Sequence, residues 1–147
     1  MKPSSQKRAA ARLAAVQALY QLAMESTPMA SLLDEFHRHR LGAEIEGDQY
    51  ADAEVAFFDA IVQGVFARYE EIDALLEERL AEGWKLERLD RTMHQILRAG
   101  TWELMARPDI PTATAISEYV DVAHAFFEVR EAKFVNGVLD AVSKAVR

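Results

Sequence analysis

The stretch LDRTMHQILRAGTWELMARPDIP, residues 89–111, decides the fold class. Its apolar residues recur at spacings of three and four up to Leu104, which is the period of an amphipathic helix. The segment RPDIP (107–111) stops that helix because proline cannot continue one, and Pro111 is suited to open the next. The rest of the chain has the same texture, and we therefore predict an all-α protein.

Upstream of this stretch, the first helix is predicted to begin at Ser4 and Ser5, which can cap it, and to end before Pro28. A short second helix follows from about Met29 to His39, and the polar residues 42–47 form a connection.

The longest apolar pattern runs from about Gln49 to Leu80. Because more than 30 residues is long for a globular helix, we expect a bend near Arg68–Glu71 and an end at Gly83. Gly100 and Gly137 are each expected where two helices approach closely. Two stripes predict the last two helices: Ile116, Val120, Ala123 and Phe127, then Phe134, Val138, Ala141 and Val142.

The composition fits one cytoplasmic domain. We expect residues 1–147 to form it, with an N-terminal bundle over 1–82 and a C-terminal bundle over 83–147. The chain has no cysteine, which excludes disulfides and zinc–thiolate sites. No apolar run is long enough for a signal peptide or a membrane span, so we expect no membrane contact.

The charges are unevenly distributed. Residues 1–24 contain Lys2, Lys7, Arg8 and Arg12 and no acid, so a chain of net charge −7 carries +4 there and −11 elsewhere. Arg8 and Arg12 share a helix face in the first turns, where the helix dipole disfavours cations. We interpret this as a site for an external phosphate; a basic tail that only aids solubility is the alternative.

Aromatic residues suggest base contacts. Phe126 and Phe127 are adjacent, so both cannot face the core equally, and an exposed ring beside basic residues can stack on an unpaired RNA base. Core packing is the default interpretation of Phe134, and base stacking stays open. The full set of predicted RNA-binding residues is Lys2, Lys7, Arg8, Arg12, Gln17, Tyr20, Phe126, Arg130, Lys133 and Phe134.

Enzyme motifs are missing from the sequence. There is no phosphate-binding glycine loop, and acidic pairs such as Glu70-Glu71 point in different directions on a helix. The spacing Asp34-x-x-His37 could suit a metal, but a solvated helix end explains it better. We expect no catalytic residue, no metal and no cofactor.

Four ordered segments resemble the NusB family: Arg8-x-x-x-Arg12 before VQALY (16–20), then 89–104, then 107–126, then KFVNGVLD (133–140). The resemblance implies an all-α fold of two packed helical bundles without catalytic activity. It also implies pairing with the ribosomal protein NusE, binding of the boxA element in nascent ribosomal RNA transcripts, and a complex with other Nus factors and RNA polymerase that suppresses termination.

The chain departs from this family's pattern in three places. Ala9, Ala10 and Ala11 dilute the basic arm, and the loop before KFVNGVLD has Phe127 and Glu131 where glycine and serine are usual. Ser117 stands where this family usually has asparagine. A helical scaffold that binds only proteins is the alternative function.

Overall fold

A computed structural model describes residues 3–38 and 52–147, and within those ranges the protein contains α-helices and no strand. The all-α prediction is confirmed. The predicted connection at 42–47 lies outside the described residues. The helices are α1 (Pro3–Met24), α2 (Met29–Phe36), α3 (Asp52–Arg79), α4 (Arg91–Ala106), α5 (Thr112–Phe126) and α6 (Val129–Val146), with a short 3-10 helix (Leu86–Arg88) before α4.

Local sequence signals set the helix ends. Pro28 and Pro111 directly precede α2 and α5. Asp90 caps α4, since its carboxylate accepts hydrogen bonds from the first backbone N–H groups of that helix. Gly83, at φ 91°, makes the turn after α3 in a conformation that favours glycine. The predicted bend is confirmed, because Arg68 leaves the helical region inside α3 (φ −126°, ψ 19°).

Helix α4 lies at the centre of the fold and contacts α1, α3, α5 and α6. Its buried residues include three polar ones, Gln95, Thr101 and Glu103. Buried side chains from the N-terminal and C-terminal halves of the chain form one continuous core. None of the described helices is both long and apolar enough to cross a membrane.

Two glycines lie where helices pack closely, and a third that was predicted to do so does not. Gly100 is a close contact as predicted, because a Cβ there would lie 2.8 Å from Leu139 Cδ1. Gly64, which we did not single out, is tighter, since its Cβ would lie 2.2 Å from Trp102 Nε1. The prediction for Gly137 is wrong: a Cβ would meet nothing within 4 Å, because this residue lies on the exposed side of α6.

Candidate nucleic-acid interface

Arg12 is part of a buried ion network rather than a free basic arm. Its side chain reaches Glu103 on α4 twice, Nε to Oε1 at 3.0 Å and Nη2 to Oε2 at 2.8 Å. The hydroxyl of Tyr119 on α5 donates to the same carboxylate at 2.8 Å. Arg12 is 2% exposed and the other two residues are fully buried, so the network joins α1, α4 and α5 in the core.

This burial shifts two pKa values. Desolvation alone would lower the pKa of Arg12, but the hydrogen bond and the charge of Glu103 outweigh it and raise that pKa. Burial raises the pKa of Tyr119, and the neighbouring Glu103 carboxylate raises it further. Arg12 therefore stays charged and Tyr119 stays neutral. The prediction that the Arg12 side chain is available to an external phosphate is wrong, because its donors are already used in the core.

Three arginines surround the ring of Phe57 on α3. The guanidinium carbons of Arg8, Arg12 and Arg107 lie 5.2, 5.0 and 5.3 Å from the ring centroid. Arg107 is also paired with Asp109 at 2.9 Å. Of the two predicted arginines on α1, Arg12 is buried and Arg8 is half-buried, so Arg8 is the one nearer to solvent.

The C-terminal half of α1 lines an open pocket of about 360 Å³, here called the Tyr20–Phe126 pocket. Tyr20 and Phe126 are 39% and 41% exposed. Gln17 and Thr92 add polar groups beside these rings. The other lining residues are Val16, Gln21, Met24, Glu25 and Phe36. This pocket brings together three predicted site residues, Gln17, Tyr20 and Phe126, from distant parts of the sequence.

The sequence between α5 and α6 places Phe126 at this pocket. Phe127 is extended (φ −137°, ψ 178°), which ends α5 directly after Phe126. Helix α6 then begins with a capping box, in which Glu128 and Glu131 each accept a hydrogen bond from the other's backbone N–H. Glu131, in the place where the NusB pattern has serine, thus stabilises the start of α6.

Phe127 lines a second open site, the Trp84 groove, of about 470 Å³. This groove also contains Phe134 and Arg130, two further predicted site residues. Phe134 is half-buried against the core and packs on Trp84, with ring centroids 5.3 Å apart. The remaining lining residues are Arg88, Leu89, Asp90, Met93 and Glu131.

The ten predicted residues thus do not form one cluster. Arg8 and Gln17 are nine positions apart on α1, which places them on opposite sides of the helix at about 100° per residue. Lys7 is half-buried on α1, Lys133 is exposed on α6, and Lys2 lies outside the described residues. The basic arm and the aromatic pocket are separate surfaces.

Sequence reasoning missed Trp84 and Thr92. Trp84 follows the helix-ending Gly83, and a large aromatic residue in a turn was the available signal for an exposed ring. Thr92 carried no signal, because only the packing of α4 against α1 brings it to the Tyr20–Phe126 pocket.

Comparison with known proteins identifies the family of the chain. The sequence profile of the NusB family matches residues 9–144, nearly the whole length. The chain belongs to the NusB family. Transcription antitermination protein NusB of Novosphingobium aromaticivorans is 72% identical over 144 residues, covering 98% of this chain and 97% of that protein. The protein of the same name from Sphingopyxis alaskensis is 64% identical over 147 residues, covering 100% and 99%.

Solved NusB structures share the fold. T. maritima NusB has a TM-score of 0.79 at 28% identity and covers 93% of this chain and 90% of its own. A structure of the antitermination factors NusB and NusE in complex with dsRNA matches with a TM-score of 0.79 at 25% identity, covering 95% of this chain and 98% of the matched one. The resemblance to the NusB family is confirmed.

Proposed function

We propose that this chain is a non-catalytic transcription antitermination factor that binds boxA-type single-stranded RNA together with NusE. The observation that carries the proposal is the Tyr20–Phe126 pocket, where two exposed rings and Gln17 meet at an open surface. Membership of the NusB family and the RNA in the related NusB–NusE structure support it.

The chemistry of the pocket favours unpaired bases. Exposed aromatic rings stack on bases that have left a duplex, whereas RNA duplexes are recognised mostly through backbone and shape. The Gln17 amide has both a donor and an acceptor with which to read a base edge. The related complex contains double-stranded RNA; the rings at this pocket favour a single-stranded segment.

The RNA phosphates are contacted by a separate set of residues in this proposal. Lys7 and Arg8 on α1, with Lys2 before them, supply the sequence-independent part of the affinity. Arg12 acts indirectly, by holding α1 against α4 and α5. Lys133 and Arg130 on α6 are the remaining cations of the predicted set.

Family membership supports the rest of the proposed assembly. NusE completes the RNA-binding unit, and the pair joins other Nus factors and RNA polymerase in the cytoplasm. The net charge of the chain is −7, which opposes RNA binding. A partner that adds its own phosphate contacts would therefore raise the affinity for RNA.

A protein-binding scaffold is the second candidate. Phe66 and Tyr69 are exposed on α3 and line another groove, of about 210 Å³, with Leu19 and Leu22. Exposed apolar surface of this kind often marks contact with another protein. This groove shares no lining residue with the Tyr20–Phe126 pocket, so the two functions are separable by mutation.

RNA binding by matched variants tests the proposal. Tyr20→Ala should weaken binding of boxA-type RNA by about 1–3 kcal/mol, the cost of losing one stacked base, while Tyr20→Phe keeps the ring and most of the affinity. Scrambled RNA should be affected less. Titrations are run with and without NusE. If wild-type protein binds no boxA-type RNA under either condition, the scaffold is the correct function.

A further inference from the structure

The Trp84 groove exposes an aromatic surface that the core does not require. Trp84 is 56% exposed, directly after the Gly83 turn, and its ring plane is tilted 37° from that of Phe134. The groove volume of about 470 Å³ exceeds that of the Tyr20–Phe126 pocket and lies within the usual range for bound small molecules, roughly 300–1,000 Å³.

The groove has positive charge that its own acidic residues do not neutralise. Its two acids are already used: Asp90 caps α4, and Glu131 caps α6 and pairs with Arg130 at 3.0 Å. That Arg130 side chain is 94% exposed, and such a surface pair separates at little cost. Within residues 3–38 and 52–147, no carboxylate lies at ion-pair distance from the exposed Arg88.

The groove lies beside the Tyr20–Phe126 pocket. Thr92 and Phe126 line the pocket, and the next residues in sequence, Met93 and Phe127, line the groove. The rings of Phe126 and Phe127 are 6.4 Å apart. The two sites are therefore close enough for one RNA strand to reach both.

We infer that the Trp84 groove is a second binding position for the same single-stranded RNA. Trp84 and Phe134 stack on a base, and Arg88 and Arg130 contact the phosphates beside it. This inference rests on the proposed function, since it extends the RNA path from the Tyr20–Phe126 pocket. RNA is favoured over an apolar peptide because such a peptide would cover the Arg88 guanidinium without supplying a negative charge, whereas a phosphate supplies one.

Matched aromatic variants test the groove. Trp84→Ala should weaken binding of full-length boxA-type RNA by on the order of tenfold, and Trp84→Phe should restore most of it. Phe66→Ala is the control, because Phe66 is equally exposed, at 56%, and lies outside the groove. RNAs shortened stepwise from either end should include one that wild type and Trp84→Ala bind equally, since it no longer reaches the groove.

Tryptophan fluorescence gives a direct readout. The chain has two tryptophans, and Trp102 is buried. RNA should quench Trp84, and Trp84→Phe should abolish that quenching. If Trp84→Ala and Arg88→Gln bind RNA like wild type while Tyr20→Ala binds weakly, the inference is wrong and the proposed function stands. If wild type binds no RNA, both are wrong. If Trp84→Ala instead weakens NusE binding without RNA, the groove is a protein site.

Discussion

The two halves of α1 use their polar residues in opposite ways. Near the start of the helix, Arg12 is buried and fully engaged by Glu103 and Glu118. Further along, Gln17 and Tyr20 line an open pocket and leave the helix–helix contact to the small and apolar residues between them. Arg12, which looks like a ligand-binding residue in the sequence, is structural, whereas Gln17 and Tyr20 line the candidate site.

This difference shows that net charge is a poor guide to which cation meets a ligand. A cation in the first turns of a helix can be balanced from outside by phosphate or from inside by a buried carboxylate, and the sequence does not distinguish the two. Variants at buried and at exposed groups of the same helices test this contrast.

Arg12→Ala should have the largest effect. It leaves the buried Glu103 carboxylate without its cation, which costs about 3–5 kcal/mol of unfolding free energy. Arg8→Ala, one turn earlier and half-buried, should cost less than about 1 kcal/mol, the scale of its contact with the Phe57 ring. Urea unfolding followed by circular dichroism measures both. Equal, small losses in the two variants would show that Arg12 is not a core residue.

Two glycines extend the contrast to the backbone. Gly64→Ala should destabilise the protein by about 1–3 kcal/mol, because the new methyl group would overlap the rigid Trp102 ring. Gly137→Ala should stabilise it by roughly 0.5–1 kcal/mol, since the site is open and alanine is the better helix former. Thermal unfolding compares them. A rise in melting temperature for Gly64→Ala would contradict the tight packing of α3 on α4.

The Asp73–Arg98 pair lies between these extremes, at about one-fifth exposure for each side chain. Burial opposes ionisation of Asp73, but hydrogen bonds from Arg98 and His94 outweigh it and lower the Asp73 pKa. A lowered carboxyl pKa means that the pair stabilises the fold above the ordinary value, near pH 4, and that this contribution is lost as pH falls through the lowered value.

Asp73→Asn should therefore lose on the order of 1 kcal/mol at pH 7 and change less than wild type on acidification. Denaturant unfolding at neutral and acidic pH gives the comparison, with Glu71→Gln as an exposed control that is paired with Arg68 on the surface. An identical pH dependence of the unfolding free energy for wild type and Asp73→Asn would show that Asp73 does not contribute to the loss of stability in acid.

The smallest effect should be that of Arg8 on the salt dependence of RNA binding. Arg8→Ala should reduce the slope of log affinity against log salt by about 0.7, the value for one phosphate of a single strand. Lys7→Ala should act alike, and matched and scrambled RNA should be affected equally. An unchanged slope in the Lys7→Ala/Arg8→Ala double variant would make the arm a solubilising tail.

The helices were predictable because their signals are local. Proline, glycine and apolar periodicity determine where α2, α4 and α5 begin or end, and the bend at Arg68 follows from the length of the pattern around it. These features depend on neighbouring residues alone, so a single sequence contains them.

The candidate site was only partly predictable. Tyr20 and Phe126 were each predicted to bind RNA, and the structure places both at one pocket; their role in RNA binding stays a prediction. Whether Arg12 is buried in an ion pair or free to bind a ligand depends on Glu103, 91 positions away. The exposure of Gly137 depends on which side of α6 meets the core. Contacts between residues so far apart have no signal in the neighbouring sequence, so a single sequence does not reveal them.

The extended backbone at Phe127 has a consequence for how the two neighbouring sites tolerate mutation. Because that one residue ends α5 and lets α6 restart, it directs two adjacent side chains into two different open sites. Mutations at 126 can then alter the Tyr20–Phe126 pocket with little repacking, because Phe126 is exposed, whereas mutations at 127 also affect the core against which Phe127 packs. The two positions are thus unequal in their tolerance: position 126 can be changed at the surface, and position 127 only together with the interior.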